Sequence, residues 1–190
     1  MPTALTNDEQ QVLLRIARAS VAAKIRTEAY MPPEATGGLV TCAGAFVTLR
    51  LDGDLRGCIG YIERDRPLVE VIARCAAAAA TDDPRFAPLM ADELARVRVE
   101  ISVLGPLERF TDPREVEVGR HGLVVQVGPR RGLLLPQVAI EWHWDRPTFL
   151  AQTCLKAGLA PDAWRTGAEL YRFEALIFSE DNAAPSTMVH

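Results

Sequence analysis

The cleanest pattern in the chain is the alternation of Val97, Val99, Ile101 and Val103 with Arg98, Glu100 and Ser102, closed by Gly105-Pro106. A period of two predicts a strand with an apolar face on the core and a polar face carrying Glu100 and Ser102. Two further apolar runs, 45–51 and 55–61, flank Asp52-Gly53-Asp54 and predict a strand, a turn and a strand. Helical spacing appears twice before them or between them and the alternating run. Thr6 followed three positions later by Glu9 is a capping-box signature, and Val12, Leu13, Ile16, Ala19 and Ala23 follow at helical intervals, so a helix is expected over about 8–28. Leu68, Ile72, Cys75 and Ala79 form a second stripe, with Pro67 suited to the first turn. That helix must stop near Thr81-Asp82-Asp83, because Pro84 disfavours helical angles at the residue before it. Cys75 is then a packing residue, and Arg85 and Phe86 fall in a loop.

The second half is punctuated by glycine. Residues 123–127 and 133–135 read as a hairpin turning through Gly128-Pro129-Arg130-Arg131, with His121 at its entrance between Gly119 and Gly122. A third helix is expected over about 147–157 with Gly158 as its stop, then a closing strand over about 171–178 and a tail from 182 onward. No internal repeat occurs, and the only low-complexity run is Ala76 to Ala80.

Composition narrows the function. With 190 residues, 48% hydrophobic and 24% charged, the chain is an ordinary globular one, long enough to bury its own core. Its 21 basic and 25 acidic residues give a net charge of −4, which argues against a nucleic-acid partner, since binding phosphate backbones needs a basic field. No apolar run approaches a membrane span, and the first residues lack the basic and apolar regions of a signal peptide, so a cytoplasmic protein is expected. The four cysteines, Cys42, Cys58, Cys75 and Cys154, contain no Cys-x-x-Cys pair and are expected as free thiols. The three histidines are far apart in sequence, so no metal site is predicted, and with neither a Gly-x-Gly-x-x-Gly after a strand nor a P-loop no cofactor is predicted.

Candidate chemistry concentrates in Leu55-Arg56-Gly57-Cys58-Ile59-Gly60. Alternate strand residues share a face, so Arg56 and Cys58 should project together with Gly60 beside them offering nothing bulky, a setting for a small anionic or electrophilic group. The competing reading is architectural: strand glycines mark close backbone approach, arginines make structural ion pairs, and single cysteines fill cores. Register decides what surrounds the thiol. A three-residue loop pairs Leu51 with Leu55, Val47 with Ile59 and Ala45 with Tyr61, collecting Arg50, Thr48, Arg56 and Cys58 on the other side. A two-residue Asp52-Gly53 turn slips the pairing by one and mixes polar with apolar. Separation of polar from apolar favours the longer loop. Should His121 approach Cys58, it could act as base to the thiol with Glu100 orienting the ring. His143, between Trp142 and Trp144, reads as a packed ring.

Seven ordered segments resemble the AMMECR-type domain family, whose prokaryotic members are called system protein A of the AmmeMemoRadiSam trio. They begin at Gly44, Leu55, Asp83, Glu100, His121, Arg131 and Lys156, and Leu55-Arg56-Gly57-Cys58-Ile59-Gly60 is the family's hallmark. The resemblance implies an α+β fold, with mixed or antiparallel sheets and flanking helices, in which a larger and a smaller lobe enclose a groove faced by the hallmark strand. Residues 1–180 would form that single domain, with 181–190 as a tail. It also implies association with a Memo-like protein and a radical S-adenosylmethionine protein, but no particular reaction. Two readings follow. In the first, Cys58, His121 and Glu100 are catalytic candidates, and Arg56, Gly57, Gly60, Arg85 and Ser102 bind a small anionic ligand or a peptide. In the second, the protein is a non-catalytic adaptor with aromatic anchors at Trp142, Trp144 or Phe86.

Overall fold

The computed structural model describes residues 4–181; the expected tail lies outside them save for its first residue. In chain order the elements are α1 (Asn7–Ile25), β1 (Ala45–Leu51), β2 (Asp54–Tyr61), α2 (Leu68–Thr81), β3 (Val97–Leu104), β4 (Glu108–Phe110), β5 (Gly122–Val127), β6 (Arg130–Leu134), α3 (Pro136–Glu141), α4 (Arg146–Lys156), β7 (Glu169–Phe173) and β8 (Ala175–Ser179). The result is an α+β fold with two four-stranded sheets, ordered β2-β1-β3-β8 and β4-β7-β5-β6. By contact density, residues 4–104 with 176–181 form one compact unit and residues 105–175 another.

In the first unit the predicted alternation holds: Val97, Val99, Ile101 and Val103 are fully buried and pair with Leu51, Leu49, Val47 and Ala45. This apolar face joins residues of α1 and α2 in one core. The capping box at Thr6 and Glu9 opens α1, which ends at Ile25 rather than near Glu28. Its end is a left-handed turn: Thr27 takes φ 58°, and the Glu28 N–H reaches back to the Ala23 carbonyl at 2.8 Å. The buried face of α1 runs through Leu13, Ile16, Ala17, Ser20 and Val21. Ser20 is tolerated there because its hydroxyl donates to the Ala73 carbonyl at 2.6 Å. Pro67 precedes α2 instead of opening it.

The β1–β2 hairpin corrects the expected loop and keeps most of its register. The turn is the two-residue form, with Asp52 at φ 53° and Gly53 at φ 95°, the left-handed angles that match strand twist. One extra residue, Arg56, then bulges out of β2 between the Arg50–Leu55 and Leu49–Gly57 pairs. The bulge restores Val47 opposite Ile59 and Ala45 opposite Tyr61. Hydrophobic sorting and local turn chemistry are both satisfied, at the cost of one unpaired residue.

The second unit has its own core of Phe110, Val116, Leu123, Val125, Ala139, Phe149, Leu150, Cys154 and Leu170. Its hairpin turns on Gly128-Pro129 alone, since Val127 pairs with Arg130. Two elements, β4 and α3, escape the sequence pattern; α3 begins at Pro136, directly after the strand-like leucines. The third expected helix is α4, capped by Asp145, whose carboxylate accepts the Thr148 N–H at 2.9 Å. The expected closing strand is really two, β7 in one sheet and β8 in the other, divided at Glu174. No glycine or proline marks that break.

Candidate functional site

Strand β2 is largely architecture. Gly57 faces α2 so closely that a Cβ there would lie 2.1 Å from the Ala79 carbonyl oxygen. Gly60 is not open space: a Cβ would meet the Phe46 ring at 2.2 Å, because the two residues are paired and the ring lies over the glycine. Arg56 is not an unoccupied cation either. Its Nε and Nη2 contact the two Glu93 carboxylate oxygens at 2.9 Å each, and it donates to the Ala87 and Pro88 carbonyls at 2.7 and 3.2 Å. With its side chain only 17% exposed, Arg56 staples the loop that follows α2. Glu93 is held below the usual carboxylate range chiefly by this guanidinium. The bulge falls at Arg56, whose guanidinium is spent on Glu93.

Cys58 remains as the residue whose side chain is partly accessible and chemically unspent. It stands opposite Thr48, and Thr48 stands opposite Glu100, so β2, β1 and β3 present a Cys58–Thr48–Glu100 row on one face. The Thr48 hydroxyl donates to Cys58 Sγ at 3.3 Å. Because β2 is an edge strand, the Cys58 main chain points outward with no strand to pair it. The Asp83-Pro84-Arg85 turn fills that role. One Asp83 oxygen accepts the Cys58 N–H at 2.8 Å; the carboxylate also accepts the Arg85 N–H at 3.1 Å, its Nε at 3.0 Å and its Nη2 at 2.7 Å. The same Arg85 Nη2 lies 3.5 Å from the Cys58 carbonyl oxygen. Asp83 is buried and Arg85 half-exposed, its guanidinium 5.4 Å from the centre of the Phe86 ring.

The electrostatics of this cluster do not favour a standing thiolate. Burial pushes the Cys58 thiol up and the Asp83 and Glu100 carboxylates add to that, against the Thr48 hydrogen bond and the Arg85 charge. Asp83 moves the opposite way, to about 2, because Arg85 hydrogen-bonds its charged form. Ser102 is fully buried opposite Phe46.

His121 belongs to the second unit. There it lines a cavity of about 450 Å³ with Arg120, Arg172, Glu108, Glu117 and Glu174. Its Nδ1 accepts the Glu117 N–H at 3.0 Å, which assigns the proton of the neutral ring to Nε2. Burial, then Arg172 and Arg120, keep it below the ordinary histidine value. The groups gathered about Cys58 are thus Thr48, Asp83, Arg85 and Glu100, all from the first unit. Asp83 was legible as a helix stop and as the first residue of a family-like segment but not as a partner of Cys58, although an Asx turn of the Asp-x-Arg kind was a usable signal. Nothing in the sequence pointed to Glu93. The four cysteines are free, with Cys75 and Cys154 buried. Among the described residues no group of three or more His, Cys, Asp or Glu side chains could hold a metal ion, and no helix is long and apolar enough to cross a membrane.

The AMMECR1 family model matches residues 14–178, and the chain belongs to that family. Among curated relatives, a protein of Methanothermobacter thermautotrophicus is 44% identical over 93% of this chain and 97% of its own length. A protein of Aeropyrum pernix is 45% identical over 94% of this chain and 82% of its own. The fold is similar to the crystal structure of an uncharacterised protein from Pyrococcus horikoshii, with a TM-score of 0.84, 42% identity and coverage of 90% of this chain and 91% of that one.

Proposed function

We propose that this protein is a small-ligand-binding component of a pathway shared with Memo-like and radical S-adenosylmethionine proteins, and that it receives an anionic or electrophilic ligand at Cys58. The observation that carries the reading is the division of labour in the hallmark strand: Arg56, Gly57 and Gly60 are taken up by an ion pair and close packing, whereas the Cys58 thiol keeps a hydroxyl donor at 3.3 Å and a half-exposed guanidinium beside its own carbonyl. Arg85 is the ligand's cation in this reading, and Thr48 its hydroxyl contact. Because burial pushes the Cys58 thiol above the ordinary thiol value, ligand-free Cys58 is a neutral hydrogen-bonding group and a latent nucleophile. Covalent chemistry begins when a ligand offsets the Asp83 and Glu100 charges or carries the proton away. The pathway partners rest on the family resemblance.

The test is alkylation of the folded protein by iodoacetate and by iodoacetamide, with rates at Cys58 and exposed Cys42 read by peptide mass spectrometry. An anion-receiving site gives an iodoacetate-to-iodoacetamide ratio about tenfold higher at Cys58 than at Cys42, and Arg85→Gln removes the difference. Equal ratios, or no labelling of Cys58 while Cys42 reacts, overturn the reading.

A second reading, a protein-interaction module, has an observation of its own. Trp142 is 66% exposed and stacks on Trp144 with ring centres 6.2 Å apart, beside exposed Ile140. Loss of a co-purified Memo-like partner in Trp142→Ala but not in Cys58→Ala would favour it.

A further inference from the structure

Ile59 and Tyr61 point to the face of the first sheet that α2 packs on, away from Cys58. Between them and α2 lies a cavity of about 190 Å³ that the proposed function leaves unused. Its floor is Ile59, Val71, Cys75 and Ala78, and two arginines, Arg66 and Arg74, stand in its lining. The floor carries no charge. Burial pushes the Cys75 thiol up to about 12, so it packs as a neutral thiol whose one hydrogen bond is a weak 3.9 Å contact to the Ala45 carbonyl.

The arginines are the unexplained part. Arg66 Nε is buried and has no hydrogen-bond partner among the described residues. A buried donor left unmade is costly, so this atom points to an acceptor that the chain itself does not supply. The Arg66 guanidinium lies 5.9 Å from the centre of the Tyr61 ring and hydrogen-bonds the Tyr61 side chain, which fixes its position beside the cavity and leaves Nε as its unmade donor. Arg74 makes no ion pair or side-chain hydrogen bond among the described residues. The carboxylates that act on Arg66 from neighbouring elements are Asp65 and Glu70. Asp65 is occupied by the Tyr61 hydroxyl, which donates to it at 2.7 Å. Neither carboxylate supplies the Nε partner.

We propose that this cavity binds a short amphipathic carboxylate, its alkyl chain laid over Ile59, Val71, Cys75 and Ala78 and its head held by Arg66 and Arg74. The volume equals roughly six waters of liquid, which suits a chain of about five or six carbons. A planar carboxylate matches the arginine fork better than a neutral headgroup does, and the apolar floor rewards the tail.

The experiment is a titration of the isotopically labelled full chain with hexanoate, followed by amide and methyl chemical shifts. Saturable shifts at Ile59, Val71 and Ala78 are expected. Hexanol should bind about tenfold more weakly, and Arg74→Gln or Arg66→Gln should each weaken hexanoate about tenfold. Ala78→Leu, which fills the floor, should abolish saturation while circular dichroism shows the fold retained. Cys58→Ala should leave hexanoate binding unchanged, which separates this site from the one proposed above. Absence of saturable shifts, hexanol binding as well as hexanoate, or indifference to Arg74→Gln, an exposed position where folding is not at stake, each overturns the proposal. A preference for hexyl phosphate over hexanoate would overturn the carboxylate assignment.

Discussion

Asp83→Asn tests whether the Asp83–Arg85 turn really clamps the edge strand at Cys58. The Asp83 carboxylate is buried, with a side chain 3% exposed, and accepts the Cys58 N–H and three Arg85 donors. Its folded value of about 2 lies below the ordinary 3.8, which corresponds to about 2 kcal/mol of stability carried by the charged form. Because the folded value is the lower one, that stability is present above pH 4 to 5 and is lost as pH falls toward 2. Asparagine removes the charge and turns an amide donor toward either Arg85 or the Cys58 N–H. Urea unfolding at pH 7 should therefore show Asp83→Asn less stable by about 2–3 kcal/mol, with a melting temperature lower by about 5–10 °C for a chain of this size. Repeated at lower pH, the gap between wild type and variant should narrow between pH 5 and pH 2. Hydrogen exchange supplies the local readout: the Cys58 amide should lose protection beyond the global change, because it has no strand partner to replace Asp83. Equal stability at pH 7, or a gap that does not narrow on acidification, would refute the clamp.

Three further outcomes follow from the same geometry. Gly57→Ala should destabilise by more than about 3 kcal/mol in chemical denaturation, since backbone stands 2.1 Å from the new Cβ; Gly60→Ala should cost less and be partly rescued by Phe46→Ala, because only a ring must move. Alkylation of Cys58 by a neutral reagent should keep rising through pH 9, its midpoint lying above the ordinary thiol value; a plateau near pH 7 would mean that burial, with the neighbouring carboxylates, does not govern it. His121 should titrate below 6.5 by NMR, and because its folded value is the lower one, stability should fall as pH drops below 6.5, a slope that His121→Gln reduces.

Local periodicity carried far in this chain. The alternation at Val97–Val103, the capping box at Thr6 and the stripe through Leu68, Ile72, Cys75 and Ala79 each appear in the structure where the spacing put them, because burial of one face is recorded every two or every three to four residues. The family was legible as well, since its ordered segments are continuous in the chain. What periodicity cannot record is which residues distant in sequence meet. Arg56 read either as a ligand's cation or as half of a structural ion pair, and only the fold brings Glu93, 37 positions on, against it; the bulge at Arg56 arises from a conflict between turn geometry and core register that neither strand reveals alone. The role of Asp83 as a substitute strand partner, the Phe46 ring over Gly60, and the break that sends β7 and β8 to different sheets were likewise decided by tertiary structure. Each depends on hydrogen-bond and packing partners brought together from remote positions, for which the amino-acid pattern along the chain leaves no local mark.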